Sequence, residues 1–166
     1  MKRSLLIAGA ILVAVAAAGS GILVARFGGA RGYPVSQLRP GVNAASLQIT
    51  PVFAVRDGDA VVVLRPFAPD DRVPVAWCPA QGFFEDPASG SKFDREGRYL
   101  AGPATRGLDR ISSKVVGGVL QIAPGATTPG AARSSEVPAT SLPPCDWHAA
   151  VFAPGVAPPP SPTPEP

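Results

Sequence analysis

The apolar positions along the chain fall into three regimes. From Ser4 to Ala25 the sequence SLLIAGAILVAVAAAGSGILVA is uncharged and apolar on every helical face, with Lys2 and Arg3 before it and Arg26 after it. As a helix this run rises roughly 33 Å, enough to cross a hydrocarbon core of about 30 Å. The apolar part of a signal peptide is shorter, about 7–15 residues. The length therefore predicts an uncleaved anchor, residues 1–26, with the domain behind it exported. The small residues Ala16-Ala17-Ala18 keep a cleaved signal peptide as the alternative. Lys2 and Arg3 on one side nearly balance Arg26 and Arg31 on the other, so the positive-inside count says little about orientation.

A β regime follows a Gly/Pro-rich stretch, 27–46, that reads as a linker. Leu47–Val55 alternates and is rich in β-branched residues, Asp57-Gly58-Asp59 reads as a turn, and Ala60–Leu64 is a short apolar run. Val73–Trp77 reads as a strand held to an edge by Pro74, which has no N–H to donate. Phe83-Phe84 suggests another short strand, and Arg95-Glu96-Gly97 marks a turn. Ile111–Ile122, ISSKVVGGVLQI, predicts a hairpin around Gly117-Gly118. No amphipathic helical period appears after residue 26.

The third regime begins at Pro124. Residues 124–141 are rich in Ala, Pro, Gly, Thr and Ser, and 154–166 end in PPPSPTPEP, a composition that packs no core. Between them lies an apolar island, LPPCDWHAAVF from Leu142 to Phe152. Such clusters usually bury somewhere, so residues 142–153 are expected to dock on the β domain; the alternative is a sticky but unstructured segment.

Composition sharpens this picture in two places. With 21 Pro and 18 Gly in 166 residues, a loop-rich all-β domain is favoured over a bundle. The net charge of +3 comes from the first segment: setting aside Lys2, Arg3 and Arg26 leaves 12 basic against 12 acidic residues. No basic block remains downstream, which argues against a nucleic-acid partner.

One loop carries a recognisable pattern. Asp86–Ala104 reads DPASGSKFDREGRYLAGPA. Gly90-Ser-Lys-Phe-Asp94, then Gly97, Gly102-Pro-Ala104, Leu108 and the final hairpin resemble the second half of a Rieske iron–sulfur domain. In that family Cys-Pro-Cys-His-Gly-Ser-x-Phe-Asp leads into a glycine turn and Gly-Pro-Ala-Pro. Trp77-Cys-Pro-Ala-Gln-Gly-Phe83 is similar to its first box, Cys-x-His-x-Gly-Cys. The resemblance spans about residues 47–123, and the anchor is similar to that of respiratory Rieske subunits. It implies an all-β fold: a small antiparallel β-sandwich or barrel with a loop-rich, cluster-binding-like subdomain, behind one N-terminal transmembrane helix.

Carried across by position, the family's four cluster ligands fall on Cys78, Ala80, Asp86 and Ser89. The two cysteines of its loop disulfide fall on Phe83 and Ala88. A Rieske [2Fe–2S] centre takes two thiolates and two imidazoles. The whole chain has two cysteines, Cys78 and Cys145, and one histidine, His148. One copy of the chain therefore cannot supply the set, and no cofactor is predicted. The glycines, Phe93 and Asp94 have structural uses in turns and core without iron.

An even cysteine pair outside the cytoplasm is expected to form a disulfide, Cys78–Cys145, pinning the island over the vacated loops. The alternative is two unpaired thiols. Cys145-Asp-Trp-His148 with Cys78 offers a short ligand list for Zn or Cu, and Asp86 and Ser89 add oxygen donors, but the list lies partly in a flexible segment. No nucleophile–base pair, Gly-x-Ser-x-Gly motif or phosphate loop is present, and Asp70-Asp71 and Glu85-Asp86 read as solvated turns. No catalytic residue and no small-molecule substrate is identified. The expectation is a membrane-anchored, exported Rieske-like domain without its cluster, serving as a structural or interaction subunit, in reach of a membrane protein complex. The competing readings are an electron-transfer protein whose ligands another chain completes, and an envelope protein whose tail is a spacer.

Overall fold

The computed structural model describes residues 32–134 and 142–157. The expected anchor and the Pro-rich end lie outside these residues. Among the described residues no helix is long and apolar enough to cross a membrane.

The described chain is all-β and antiparallel. In chain order the strands are β1 (Tyr33–Pro34), β2 (Gly41–Leu47), β3 (Thr50–Asp57), β4 (Ala60–Leu64), β5 (Ala76–Cys78), β6 (Phe83–Glu85), β7 (Lys92–Phe93), β8 (Tyr99–Ala101), β9 (Arg110–Val116) and β10 (Val119–Thr128). They form a six-stranded sheet in the order β1-β10-β9-β4-β3-β2 and a four-stranded sheet in the order β5-β6-β7-β8.

The larger sheet is buried on both faces at β3. Phe53 and Val55 join Leu64, Phe84, Phe93 and Leu108 in the core shared with the smaller sheet. Val52 and Ala54 face the other way, onto Leu47, Val63, Ile111, Leu120 and Ile122. This is why Val52–Val55 is a continuous apolar run rather than an alternating one. Phe53 meets Phe84 at 4.8 Å between ring centroids, and Trp77 meets Phe84 at 4.9 Å, both tilted.

The larger sheet curls toward closure. Its opposite edges, β1 and β2, are joined by residues 35–40 alone. Three of these, Val35–Gln37, form a 3-10 turn. At about 2 Å per residue in that turn, the connection reaches less than the ~24 Å width of a flat sheet of six strands. Val35 and Leu38 are buried in the inner core. From β3, Arg56 Nη1 donates to the carbonyls of Val35 and Leu38 at 3.2 and 2.8 Å, tying the strap down.

Several expectations are corrected here. The stretch 27–46, read as a linker, carries β1, the 3-10 turn and most of β2. Leu47–Val55 is not one strand: Gln48 and Ile49 take φ of 49° and 63° and turn the chain between β2 and β3. Regular pairing in the third strand starts at Ala76, two residues past Pro74, whose only pairing is an isolated bridge to Phe67. The β region extends beyond 123, because β10 runs to Thr128 through a register shift between Ala123 and Thr127. Residues 131–133 then run beside the β8–β9 connection: Gly107 N–H donates to Ala131 O, and Arg133 N–H to Thr105 O.

The island from Leu142 docks. Trp77 and Val151 exchange backbone hydrogen bonds at 2.8 and 2.9 Å, and Ala153 enters the core shared by the two sheets.

Candidate functional site

Two loops of the smaller sheet carry the positions singled out by sequence. The first leaves β5 at Cys78 and returns at Phe83. Gln81 and Gly82 donate their N–H groups to Cys78 O at 3.1 and 2.8 Å, which makes the turn tight. Cys78 is fully buried and bonded to Cys145, with Cα atoms 5.5 Å apart and a sequence separation of 67. Phe83, Leu100, Leu142 and Ala150 pack around the bond. Ala80 is exposed and has no donor atom to offer.

The second loop, from Asp86 to Ser91, is closed by its own hydrogen bonds. Asp86 N–H donates to Ser91 O at 2.9 Å, and Gly90 N–H donates to Asp86 O at 2.8 Å. The Asp86 carboxylate is buried; Oδ1 accepts Ala88 N–H at 2.8 Å, and Oδ2 accepts the Ser89 hydroxyl at 2.5 Å. Ser89 Oγ lies 2.9 Å from Ser91 Oγ. Because the Ser89 proton is given to the carboxylate, Ser91 is the donor in that contact. Ser91 Oγ in turn accepts Ala104 N–H at 3.1 Å. A relay thus runs from Ala104 through Ser91 and Ser89 to Asp86, with each group satisfied from within the loop or by its neighbour. Gly102 makes the approach possible: at φ of 96° it passes so close that a Cβ there would sit 2.5 Å from Ser91 Cα.

The carried-over positions are engaged separately. Asp86 and Ser89 border a cavity of about 200 Å³ together with Asp70, Asp71 and Ser91, while Cys78 is sealed in the disulfide cluster. Asp70 does not simply face solvent. It accepts Thr105 N–H at 2.9 Å and the Thr105 hydroxyl at 2.8 Å, and these bonds hold its pKa below the ordinary carboxylate value.

The reading of Glu85-Asp86 as solvated acids is overturned, since both are buried. Glu85 Oε2 accepts Cys145 N–H at 2.9 Å, and Oε1 pairs with Lys92 Nζ at 3.1 Å. The Lys92 ammonium lies 5.6 Å from the Phe83 ring centroid. Sequence reasoning missed this pair. The available signal was the short hairpin itself, which sets Glu85 opposite Lys92 as a cross-strand pair of opposite charge.

Glu85, Cys78 and Cys145 form one compact group, their donor atoms all within 4.8 Å of one another. His148 is exposed and outside it. As bonded here the group is not a metal centre: the sulfurs are joined to each other rather than present as thiolates, and the carboxylate is engaged by an ammonium and an amide.

A [2Fe–2S] cluster does not fit these residues. Its two thiolates and two imidazoles would fall on a disulfide sulfur, a methyl group, a carboxylate and a hydroxyl, the last two bonded to each other.

Neither a family model nor a curated protein matches the chain. Among solved structures it is similar to the cyanobacterial plasma membrane Rieske protein PetC3 from Synechocystis, at 26% identity over 50% of this chain and 86% of that one, with a TM-score of 0.42. It is similar to a chain of a hyperthermophilic respiratory Complex III, at 24% identity over 69% of this chain and 99% of that one, with a TM-score of 0.46. It is also similar to the ferredoxin of carbazole 1,9a-dioxygenase from Nocardioides aromaticivorans, at 23% identity over 57% of this chain and 95% of that one, with a TM-score of 0.39. These likenesses cover 50%, 69% and 57% of this chain respectively.

Proposed function

We propose that this chain is a Rieske-like β domain without an iron–sulfur cluster, held at a membrane by Ser4–Ala25 on the exported side, and that it acts as a non-catalytic structural or interaction subunit. One observation carries the reading. Cys78, the one carried-over position that still holds the family's own ligand residue, is bonded to Cys145, and the island that brings Cys145 lies over the first loop. The second loop keeps its shape through the Asp86–Ser89–Ser91–Ala104 relay rather than through a metal. The smaller sheet with its two loops is then the counterpart of a cluster-binding subdomain, converted into a closed, cross-linked cap. A domain built this way offers a rigid surface to a partner, and a complex in the same membrane is the partner class that an anchored domain meets.

The test uses the full chain isolated from membranes of a host with iron–sulfur assembly machinery. Expected are a colourless protein, iron and acid-labile sulfide near zero, and retention in the membrane fraction after alkaline carbonate washing. A red-brown protein with stoichiometric iron and sulfide would overturn the reading and restore electron transfer with ligands from a second chain. Release by carbonate would remove the anchor.

A further inference from the structure

A second cavity, of about 80 Å³, lies between the β4–β5 and β8–β9 connections, and three of its lining residues are Arg65, Arg72 and Arg106. Asp109 is the only acid in the lining, and it is engaged: Arg106 Nη1 ion-pairs with it while Nη2 reaches Pro69 O at 3.4 Å. Among the described residues the side chains of Arg65 and Arg72 have no hydrogen-bond or ion-pair partner. The nearby acids are turned elsewhere, Asp70 to Thr105 and Asp71 to the N–H of Val73. The rest of the lining is Phe67, Ala68 and Pro69; Arg65 and Arg72 are themselves exposed, so salt screens the charge interactions made there. Three arginines against Asp109 give the lining itself an excess of two positive charges, which Asp70, within electrostatic reach of Arg106, reduces in part.

The backbone adds a second observation. Arg72 takes a φ of 61°, a left-handed conformation that residues with a Cβ rarely adopt and that Gly, Asn or Asp adopts more readily. Its N–H bonds Ala68 O at 3.1 Å, and Ala68 N–H bonds Val73 O at 2.8 Å, bonds that any residue but proline at position 72 would allow. No side-chain hydrogen bond or ion pair among the described residues explains an arginine in this place. An unexplained strained residue points to function rather than to stability.

We propose that Arg65, Arg72 and Arg106 bind a compact, doubly charged oxyanion, a phosphate group being the best match. Guanidinium forks match the oxygen geometry of phosphate. The volume equals that of roughly two to three waters at ~30 Å³ each, which suits the phosphate group itself, with any organic part left in solvent. The site stands apart from the cross-linked loop pair and does not depend on whether a cluster is ever bound.

The test is calorimetric titration of the full chain with inorganic phosphate, ionic strength being held constant with chloride, in the wild type, Arg65→Gln and Arg72→Asn. Expected are saturable binding with a Kd in the millimolar range or below, and a loss of about tenfold or more in each variant, as for a charge-assisted hydrogen bond. Arg72→Asn should also melt at the same or a higher temperature, because Asn tolerates the left-handed turn. Competition by glycerol phosphate would identify an ester as an acceptable source of the group; failure to compete would restrict the site to the free anion. No saturable heat, equal heat from chloride alone, or unchanged affinity in both variants would overturn the proposal, as would an Arg72→Asn variant that loses stability and keeps its affinity.

Discussion

Replacing both Cys78 and Cys145 by alanine tests the largest single contribution to the fold. The bond closes a loop across a separation of 67 residues. In the chain-entropy description such a closure destabilises the unfolded chain by about 4 kcal/mol. Domains of this kind are stable by only ~5–15 kcal/mol in total, so the loss approaches the whole margin. Both residues are buried, and replacing sulfur by hydrogen removes packing among Phe83, Leu100, Leu142 and Ala150, a second and smaller cost of ~1 kcal/mol per residue. The assay is urea unfolding of the oxidised wild type, the reduced wild type and the double variant. Before it, thiol labelling in denaturant without reductant should find no reactive cysteine in the wild type. Expected are a loss of at least 4 kcal/mol, a fall in Tm of roughly 15 °C, and a steeper dependence on urea, because an unfolded chain without the cross-link exposes more surface. A loss below about 1 kcal/mol, with the bond shown to be present, would refute the reasoning. The docked segment would then restrict the unfolded chain no more than the rest of the fold does.

Three further outcomes are expected. Glu85→Gln keeps an acceptor for Cys145 N–H but leaves the Lys92 ammonium, whose side chain is 12% exposed, without its counter-charge. It should cost about 3 kcal/mol in urea unfolding, and adding Lys92→Met should return a large part of that. Gly102→Ala sets a Cβ against Ser91 Cα in a left-handed conformation and should cost about 2–4 kcal/mol, read as a lower Tm with faster amide exchange at Ala104. The Asp70 carboxyl, followed by NMR, should titrate below the ordinary ~3.9, chiefly because Thr105 hydrogen-bonds its charged form. A depressed carboxyl contributes stability that is fully present above the ordinary value and is lost as pH falls through the depressed one. Asp70→Asn should therefore flatten the acid limb of the stability profile below pH ~4; the change is small, since exposed bonds are screened.

The parts of the fold legible in sequence were those written in local chemistry. Gly117-Gly118 announced the β9–β10 hairpin, Asp57–Asp59 the β3–β4 turn, and the cysteine and aromatics after Leu142 a segment that had to be buried. What stayed hidden was set by partners distant in sequence. Gly41–Leu47, GVNAASL, has little strand character of its own and is a strand because β3 lies beside it. The turn that joins them uses Gln48-Ile49, where a two-residue hairpin turn normally asks for Asn-Gly, so the alternation ran on unbroken and one strand was read where two meet. Ile49, 97% exposed with a positive φ, is what that turn leaves outside.

The acids divide along the same line. Asp86 could be placed by its position in a recognisable motif, but its work could not, since that depends on Ser89 and Ser91 pointing back at it. Glu85 gave even less away, because its meaning lies in Lys92 across a short hairpin and in an amide from a segment sixty residues on. The two acids explain how the loop pair holds its shape in this structure. Glu85 fixes the approach of Cys145 from the outside, the Asp86 relay fixes the second loop from the inside, and the disulfide joins the covering segment to the first loop. Such loops need charge compensation, hydrogen-bond closure and a covalent tie. Here each need is met by side chains. A variant that restores Ala80 and Ser89 to histidine and Asp86 to cysteine would therefore still face a closed disulfide and a severed relay, and ligand restoration alone should leave the protein colourless in an iron–sulfur reconstitution. Recovery of a red-brown, sulfide-containing protein from those three changes would show that the loops had kept a cluster's geometry and not merely its outline.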